Sequence, residues 1–404
     1  MPILKKGRVF GYPILTPLWI AVFIDILGFN LLFPMAGFFK DLLNTSNTLI
    51  GFVFSVNAIF GFIFGPILGK LSDKYGRKPL LLISQFGTLL GFILTAFSNS
   101  LLMLLIARMI DGIFGGNFPI AKAIISDVVP PEDRAIQMSN ISVCYALAGF
   151  IGPGIGGVFF TLFGIAGPNL FAAGLTIITI TLTFLMLKET WPEENRNLHV
   201  ENKIKTDIKI RKNKNARFFL VLFVFHSVSF VTVISSISFF GASILNLNPL
   251  EISLLLTTAG IIRATIRFTL FKPTIRKYGV ENSIRIGLTA FVVCYFLLSF
   301  TTDFVMMLIL IIVISFAASL SRGPLDSKIS QTVSPQVQGK INGLSSSIDA
   351  FAQVFGPLIG PFILDTLPAY WLGIVTSIIA LPSSIMAFQK MEDKKYNPAS
   401  ADSK

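Results

Sequence analysis

The chain has 404 residues, 53% hydrophobic and 13% charged, with two cysteines and a formal net charge of +12. Soluble domains carry about 25% charged residues, so this composition excludes an ordinary soluble domain and points to a chain that lives in a bilayer. The basic excess does not point to nucleic acid, because its placement follows the hydrophobic pattern described next.

Roughly twenty apolar residues cross a bilayer, and twelve such runs are predicted. Spans 1 to 6 cover 14–37, 48–69, 80–98, 101–122, 137–160 and 168–187. Spans 7 to 12 cover 217–245, 250–271, 283–301, 304–323, 341–364 and 368–389. The fold class is therefore all-α, a membrane protein of twelve transmembrane helices in two six-helix bundles. Of the 33 Lys and Arg, 28 lie in the tails, the even-numbered loops or the span ends bordering them. Only Lys40 lies in an odd-numbered loop, while Arg108, Lys122, Arg263 and Arg267 fall within spans. That asymmetry is the positive-inside rule, and it places both termini in the cytoplasm. The opening Met1–Arg8 lacks a small-residue cleavage site before a short apolar core, so the run after it reads as span 1 and not as a signal peptide.

Along the chain, span 1 carries Asp25 about halfway across. A charge in mid-bilayer costs a few kcal/mol or more, so it requires a use or a partner. Burial disfavours the charged form of a carboxyl, which lets such a group exchange a proton near neutral pH; a structural ion pair with an arginine is the other reading. The loop Gly69-Lys-Leu-Ser-Asp73-Lys-Tyr-Gly76-Arg77-Lys78-Pro79 is too basic for hydrocarbon and must be a hairpin between spans 2 and 3. Span 4 holds Arg108 and Asp111, three apart and so on one helix face. Arg108 either tunes Asp25 across the interface of spans 1 and 4 or neutralises Asp111. The run Gly149–Gly157 in span 5 lacks the Lys-Ser/Thr of a phosphate loop and lies inside an apolar helix. Its small residues permit close helix packing, and Pro153 bends the helix.

Residues 188–216 break the pattern and read as a cytoplasmic linker with a short amphipathic segment around Val200–Ile210. The N-terminal bundle is then 1–187, the C-terminal bundle 217–390 and the tail 391–404. In span 8, Arg263 and Arg267 share a face. Either they form an anion-attracting stripe, or Arg267 snorkels and Arg263 pairs with Asp349 of span 11. Asp326, just past span 10, reads as interfacial and solvated. Asn57, Asn140 and Gln353 read as interhelical hydrogen-bond glue, and His226, near a helix start, as structural. Cys144 and Cys294 read as buried free thiols.

The halves echo one another. Lys74-Tyr75-Gly76 recurs as Lys277-Tyr278-Gly279, Pro119 and Pro130 as Pro324 and Pro335, and Gly152-Pro153-x-x-Gly156 as Gly356-Pro357-x-x-Gly360, all at offsets of 203 to 205. An internal duplication of this kind places a substrate site between parallel repeats near mid-membrane, which says transporter.

The hairpin pattern Gly-x-Leu-x-Asp-x-x-Gly-Arg-Lys resembles the signature between helices 2 and 3 of the major facilitator superfamily. Within it, Asp25-x-x-Gly28…Pro34, Arg108–Asn117, Ser126-Asp127…Arg134 and Ala148–Gly157 resemble the motifs of drug:proton antiporters, nearest the tetracycline-efflux branch. The resemblance implies alternating-access export of a small amphipathic compound against protons across the inner (plasma) membrane by a monomer. It implies no cofactor, metal or nucleic acid. It makes Asp25 the proton-linked or substrate-sensing acid and Arg108 the motif Arg of span 4; Asp111, where the motif usually has a neutral residue, is a second proton candidate. It also makes Gly69, Asp73, Gly76, Arg77, Asp127 and Arg134 a gate that docks on the start of helix 11. Gly149, Gly152, Pro153, Gly156 and Gly157 become a pivot. The second hairpin has Arg276 where the first has Asp73, and helix 9 lacks the acid that tetracycline exporters carry there, which counts against tetracycline itself. An organic-anion uniporter or symporter, favoured by Arg263 and Arg267, and a transporter-like sensor without turnover are the alternatives.

Overall fold

A computed structural model describes residues 12–115, 117–192, 213–333 and 337–389. The predicted amphipathic segment at 200–210, Pro335 and the tail lie outside them. Twelve helices among the described residues are long and apolar enough to cross a membrane, one for each predicted span. In the first half, α1 is Pro13–Leu42, α2 Asn47–Tyr75, α3 Arg77–Ala96, α4 Leu101–Val128, α5 Pro131–Phe163 and α6 Ala166–Met186. In the second, α7 is Lys214–Ser243, α8 Pro249–Thr269, α9 Phe271–Leu298, α10 Phe304–Gln331, α11 Gln338–Thr366 and α12 Trp371–Phe388. No strand occurs among the described residues.

The helices run past the apolar spans on the basic side. α2 continues to Tyr75, α4 to Val128 and α10 to Gln331, and α5 begins at Pro131. Hydropathy reports only the hydrocarbon, whereas backbone hydrogen bonding carries a helix on through polar turns. α4 is interrupted after Phe114, before its second segment begins at Asn117, and two glycines stand in the gap.

Termini are capped from the sequence. Ser46, Ser100 and Asp303 accept the backbone N–H of Leu49, Met103 and Met306 at the starts of α2, α4 and α10, which satisfies donors no helical carbonyl can reach. At α8, Asn248 and Glu251 bond each other's backbone N–H reciprocally. Gly76 (φ 102°) and Gly279 (φ 77°) both occupy backbone space that favours glycine. Each follows a Lys-Tyr pair in which the ammonium lies 5.2 Å from the ring centroid. The repeated triplet is therefore a repeated structure, and it breaks α9 internally at Gly279.

The described helices form two compact units, α1 to α6 with α8 up to Gly260, and α7 with the rest of α8 and α9 to α12. In the first, α1 packs on α5, α2 on α4 and α3 on α6; in the second, α7 packs on α11, α9 on α10 and α9 on α12. Small residues set these distances. A Cβ on Gly156 would lie 2.2 Å from the Leu31 carbonyl oxygen of α1, and one on Gly356 would lie 3.0 Å from the Thr232 nitrogen of α7. Outward faces carry large apolar side chains such as Phe62, Phe86 and Leu185, as a lipid-facing surface requires.

Candidate functional site

Three charged groups stand out, two in the first unit and one in the second. At the hairpin, Arg77 begins α3 and is 4% exposed. Its guanidinium pairs with Asp73 at 2.5 Å and Asp127 at 3.0 Å, and donates to the Ser72 hydroxyl at 2.7 Å. Asp73, Arg77 and Asp127, which the resemblance groups as a gate, are thus in contact. Gly69 faces Pro119 of α4, with room for a Cβ at 3.4 Å. Arg134 stands apart, donating to the Val129 and Ser126 carbonyls at the end of α4, where a cation suits the helix terminus.

The hairpin has partners that sequence reasoning assigned to the linker. The Glu189 carboxylate accepts the backbone N–H of Arg77 at 2.9 Å and Lys78 at 3.2 Å, an anion placed on the α3 N-terminus. Trp191 donates its indole N–H to the Asp73 carbonyl and lies 5.3 Å from the Arg77 guanidinium. Thr190 donates to Asp127 at 3.3 Å. In the sequence they stand as an acid, a threonine and an aromatic directly after an apolar span.

Within the first unit's membrane span, Arg108 is 2% exposed. It pairs with Asp111 at 3.2 Å and donates to Thr95 Oγ1 at 2.5 Å and the Gly91 carbonyl at 3.3 Å, beside the Phe92 ring. Of its two sequence readings, the geometry is that of neutralising Asp111. Asn57 ties the same carboxylate across from α2 at 3.0 Å, as interhelical glue. Asp25 is half-buried on α1 and takes a hydrogen bond from the Asn117 side chain, with Asp111 near enough for its charge to be felt. Asn117 opens the second segment of α4, so the interruption of that helix presents the amide.

The glycines of α5 that the resemblance groups as a pivot divide by partner. Gly152 and Gly156 face Asn30 and Leu31 of α1, while Gly157 faces Ser253 of α8, whose Gly260 in turn would set a Cβ 2.8 Å from the Gly149 carbonyl oxygen. Pro153 sits inside α5.

In the second unit, Asp349 receives Arg322 at 2.6 Å on one oxygen and the Ser227 hydroxyl at 3.0 Å on the other. The cation that holds Asp349 is therefore Arg322. Sequence reasoning counted Arg322 with the loop, because its span ended at 323 and α10 does not. The same error misplaced Asp326, which is half-buried inside α10 one turn beyond Arg322 and is not a solvated interfacial acid. His226 lies twelve residues into α7, 1% exposed among Phe223, Phe230 and Phe291. Arg263 is half-buried in the later part of α8, and nothing is described of the Arg267 side chain. Two amides differ from their expected role as glue. Asn140 bonds Gln137 within α5, and Gln353 is exposed. Among the described residues no group of three His, Cys, Asp or Glu converges as a metal site, and both cysteines are buried and free.

The sequence profile described as the Major Facilitator Superfamily matches residues 18–270 and 233–404. The tetracycline resistance protein of class H from Pasteurella multocida is 35% identical over 42% of this chain and 43% of its own length. Multidrug resistance protein 2 of Bacillus subtilis (strain 168) is 24% identical over 76% of this chain and 78% of its own length. The crystal structure of a bacterial homolog of the human lysosomal transporter Spinster, inward-facing and unoccupied, superposes with a TM-score of 0.74 at 14% identity, covering 95% of this chain and 98% of that one. The chain belongs to the Major Facilitator Superfamily of membrane transporters.

Proposed function

We propose that this transporter exports a small amphipathic organic compound in exchange for protons by alternating access, from the cytoplasmic side of a prokaryotic inner membrane and as a monomer. The observation that carries the reading is Asp25. It is a half-buried carboxyl in the middle of a membrane helix whose hydrogen-bond partner is an amide. Among the described residues it has no ion pair, since the nearby arginine, Arg108, is committed to Asp111 and α3. A carboxyl so placed changes charge more easily than one locked to a guanidinium. The names of the tetracycline and multidrug resistance relatives support an organic drug as cargo. The positive-inside pattern supports cytoplasmic termini.

In this reading Asp73, Arg77 and Asp127 form a gate that is closed by charge-assisted hydrogen bonds and opens when they separate. The pivot glycines let α1, α5 and α8 approach closely during the exchange. Flux of a fluorescent cationic dye into inverted vesicles, with and without an imposed pH gradient, tests the coupling. Asp25→Asn is expected to abolish gradient-driven accumulation while leaving dye binding intact. Accumulation equal to the parent's would remove Asp25 from the coupling role. Flux that ignores the gradient in the parent itself would replace proton exchange with uniport.

A further inference from the structure

A polar cavity of about 590 Å³ opens at the second hairpin, between the bend of α9 at Gly279 and the last turns of α10. Its walls belong entirely to the second unit. Two cations, Arg285 and Lys328, and one acid, Glu281, line it. Glu281 is committed to Lys328 at 2.7 Å. Among the described residues Arg285 takes only neutral partners, the Ala387 carbonyl at 2.9 Å and Asn282 Oδ1 at 3.1 Å. Its guanidinium has five donors in all, and Lys277, over the Tyr278 ring of the wall, adds positive charge nearby. Such a cavity suits a carboxylate.

The first half shows a carboxylate at the corresponding place. There Lys78 donates to the Phe184 carbonyl near the end of α6 at 2.7 Å. Five residues on, Glu189 accepts the backbone N–H of Arg77 and Lys78. In the second half Arg285 donates to the Ala387 carbonyl near the end of α12. Phe184 and Ala387 are 203 residues apart, the offset that also relates Gly76 to Gly279. α6 and α12 therefore end in the same register on their hairpins. That offset carries Arg77 and Lys78 to Val280 and Glu281, both in the cavity wall, and carries Glu189 to Glu392. An acid thus stands five residues past the bonded carbonyl in each half. Five residues reach at most about 18 Å, and they start from a carbonyl already bound to a wall residue.

We infer that the cavity is a docking site for the chain's own tail, with the Glu392 carboxylate seated on Arg285 and the turn of α9 that follows Gly279. The tail then clasps the second hairpin as Glu189 clasps the first. Asp393 and Lys394 stand where the first half has Thr190 and Trp191. Only the acid is repeated, so this clasp is held by charge and weakens as salt screens it. The inference goes beyond the transport reading and does not rest on it.

The test is contact quenching in the full-length protein in detergent. A bimane dye is attached at Met391→Cys, next to Glu392. Tyr278 of the cavity wall is replaced by Trp, which quenches bimane on contact, or by Phe, which does not. Tyr278 is exposed, so either ring fits without repacking. Cys144 and Cys294 are buried, and protein without Met391→Cys gives the background label. Emission is expected to be lower with Tyr278→Trp than with Tyr278→Phe. Glu392→Gln keeps the side chain's size and removes its charge. It is expected to lower the docked-to-free ratio about tenfold, the factor that loss of one charge-assisted hydrogen bond gives. High salt should act in the same direction, whereas Glu392→Asp should retain the quenching. Equal emission from the Trp and Phe proteins overturns the site. Quenching that survives Glu392→Gln overturns it too, because the tail then arrives without its carboxylate. Quenching that grows with protein concentration assigns the contact to a second copy and also overturns the clasp.

Discussion

Each half holds an arginine–aspartate pair whose arginine lies on a corresponding helix, α4 or α10. Arg108 finds its acid on its own helix whereas Arg322 finds Asp349 on α11, and the two pairs are enclosed differently. Arg108 has its carboxylate, a hydroxyl, a carbonyl and an aromatic ring around it. Arg322 has one carboxylate and the Phe223 ring, 5.6 Å from its guanidinium. The two arginines are 214 residues apart, whereas the repeat offset is near 204. The position matching Arg322 at the Pro119–Pro324 offset of 205 is Asn117, the partner of Asp25. The duplication thus kept the packing glycines and prolines and moved the charges. A pair closed in on every side works as structure, and one with an open edge can exchange a partner.

The hairpins offer the largest break in this comparison. Asp73 holds a buried arginine, whereas Arg276, its counterpart, is exposed. Asp73→Asn is expected to lower transport at least about tenfold, the loss of one charge-assisted contact worth about 1.5–3 kcal/mol, with normal membrane insertion. Arg276→Gln should stay near the parent. Dye flux normalised to protein amount measures both, and equal losses would mean that the two hairpins gate alike.

The buried and open pairs should differ in stability. Arg108→Gln leaves Asp111 uncompensated in a buried site, a cost of about 3–5 kcal/mol, seen as poor yield and a lowered Tm in detergent. Adding Asp111→Asn should recover much of it. Arg322→Gln, at a partly exposed pair, should cost about 1 kcal/mol or less. A larger loss at Arg322 than at Arg108 would reverse the assignment of structural and exchangeable pairs.

Much of the architecture was readable beforehand, because twelve apolar runs and a charge asymmetry are properties of composition along the chain. What hydropathy could not report was helix beyond the hydrocarbon. That single blind spot put Asp326 outside α10 and Arg322 at its loop end, and hid the pair that holds Asp349. The choice of Arg108's partner depended on which way one guanidinium turns, and spacing of three residues allowed Asp111 without excluding Asp25. Glu189 and Trp191 were hidden for another reason: a polar segment after a span reads as linker until the folded hairpin brings it back.

Packing glycines give a smaller contrast. A Cβ on Gly156 meets the Leu31 carbonyl, backbone of α1, which cannot move without shifting the helix. A Cβ on Gly360 meets the Ser236 hydroxyl first, a side chain able to rotate. Gly156→Ala is expected to cost about 1–3 kcal/mol by overpacking, and Gly360→Ala less. The ranking of Tm values decides it, and an equal loss would show that Ser236 is as fixed as backbone.

The smallest expected effect separates two helix caps. Ser100 and Asp303 begin α4 and α10 at an offset of 203, and each accepts a backbone N–H three residues on. One cap is neutral and the other is a carboxylate, held below its ordinary range by the Met306 N–H. A depressed folded pKa gives stability that is present above the unfolded value and lost as pH falls through the folded one. Ser100→Ala should cost about 0.5–2 kcal/mol, unchanged with pH. The penalty of Asp303→Ala should be full at neutral pH and shrink below about pH 4, where the carboxyl of the unfolded chain takes up a proton while that of the folded parent is still ionised. Asp303→Asn keeps a side-chain oxygen at the cap and should follow the pH-independent course of Ser100. Tm measured across that acid range distinguishes the caps. A Ser100→Ala penalty that fades as steeply as that of Asp303→Ala would place the acid sensitivity elsewhere in the protein, not in the cap's own charge.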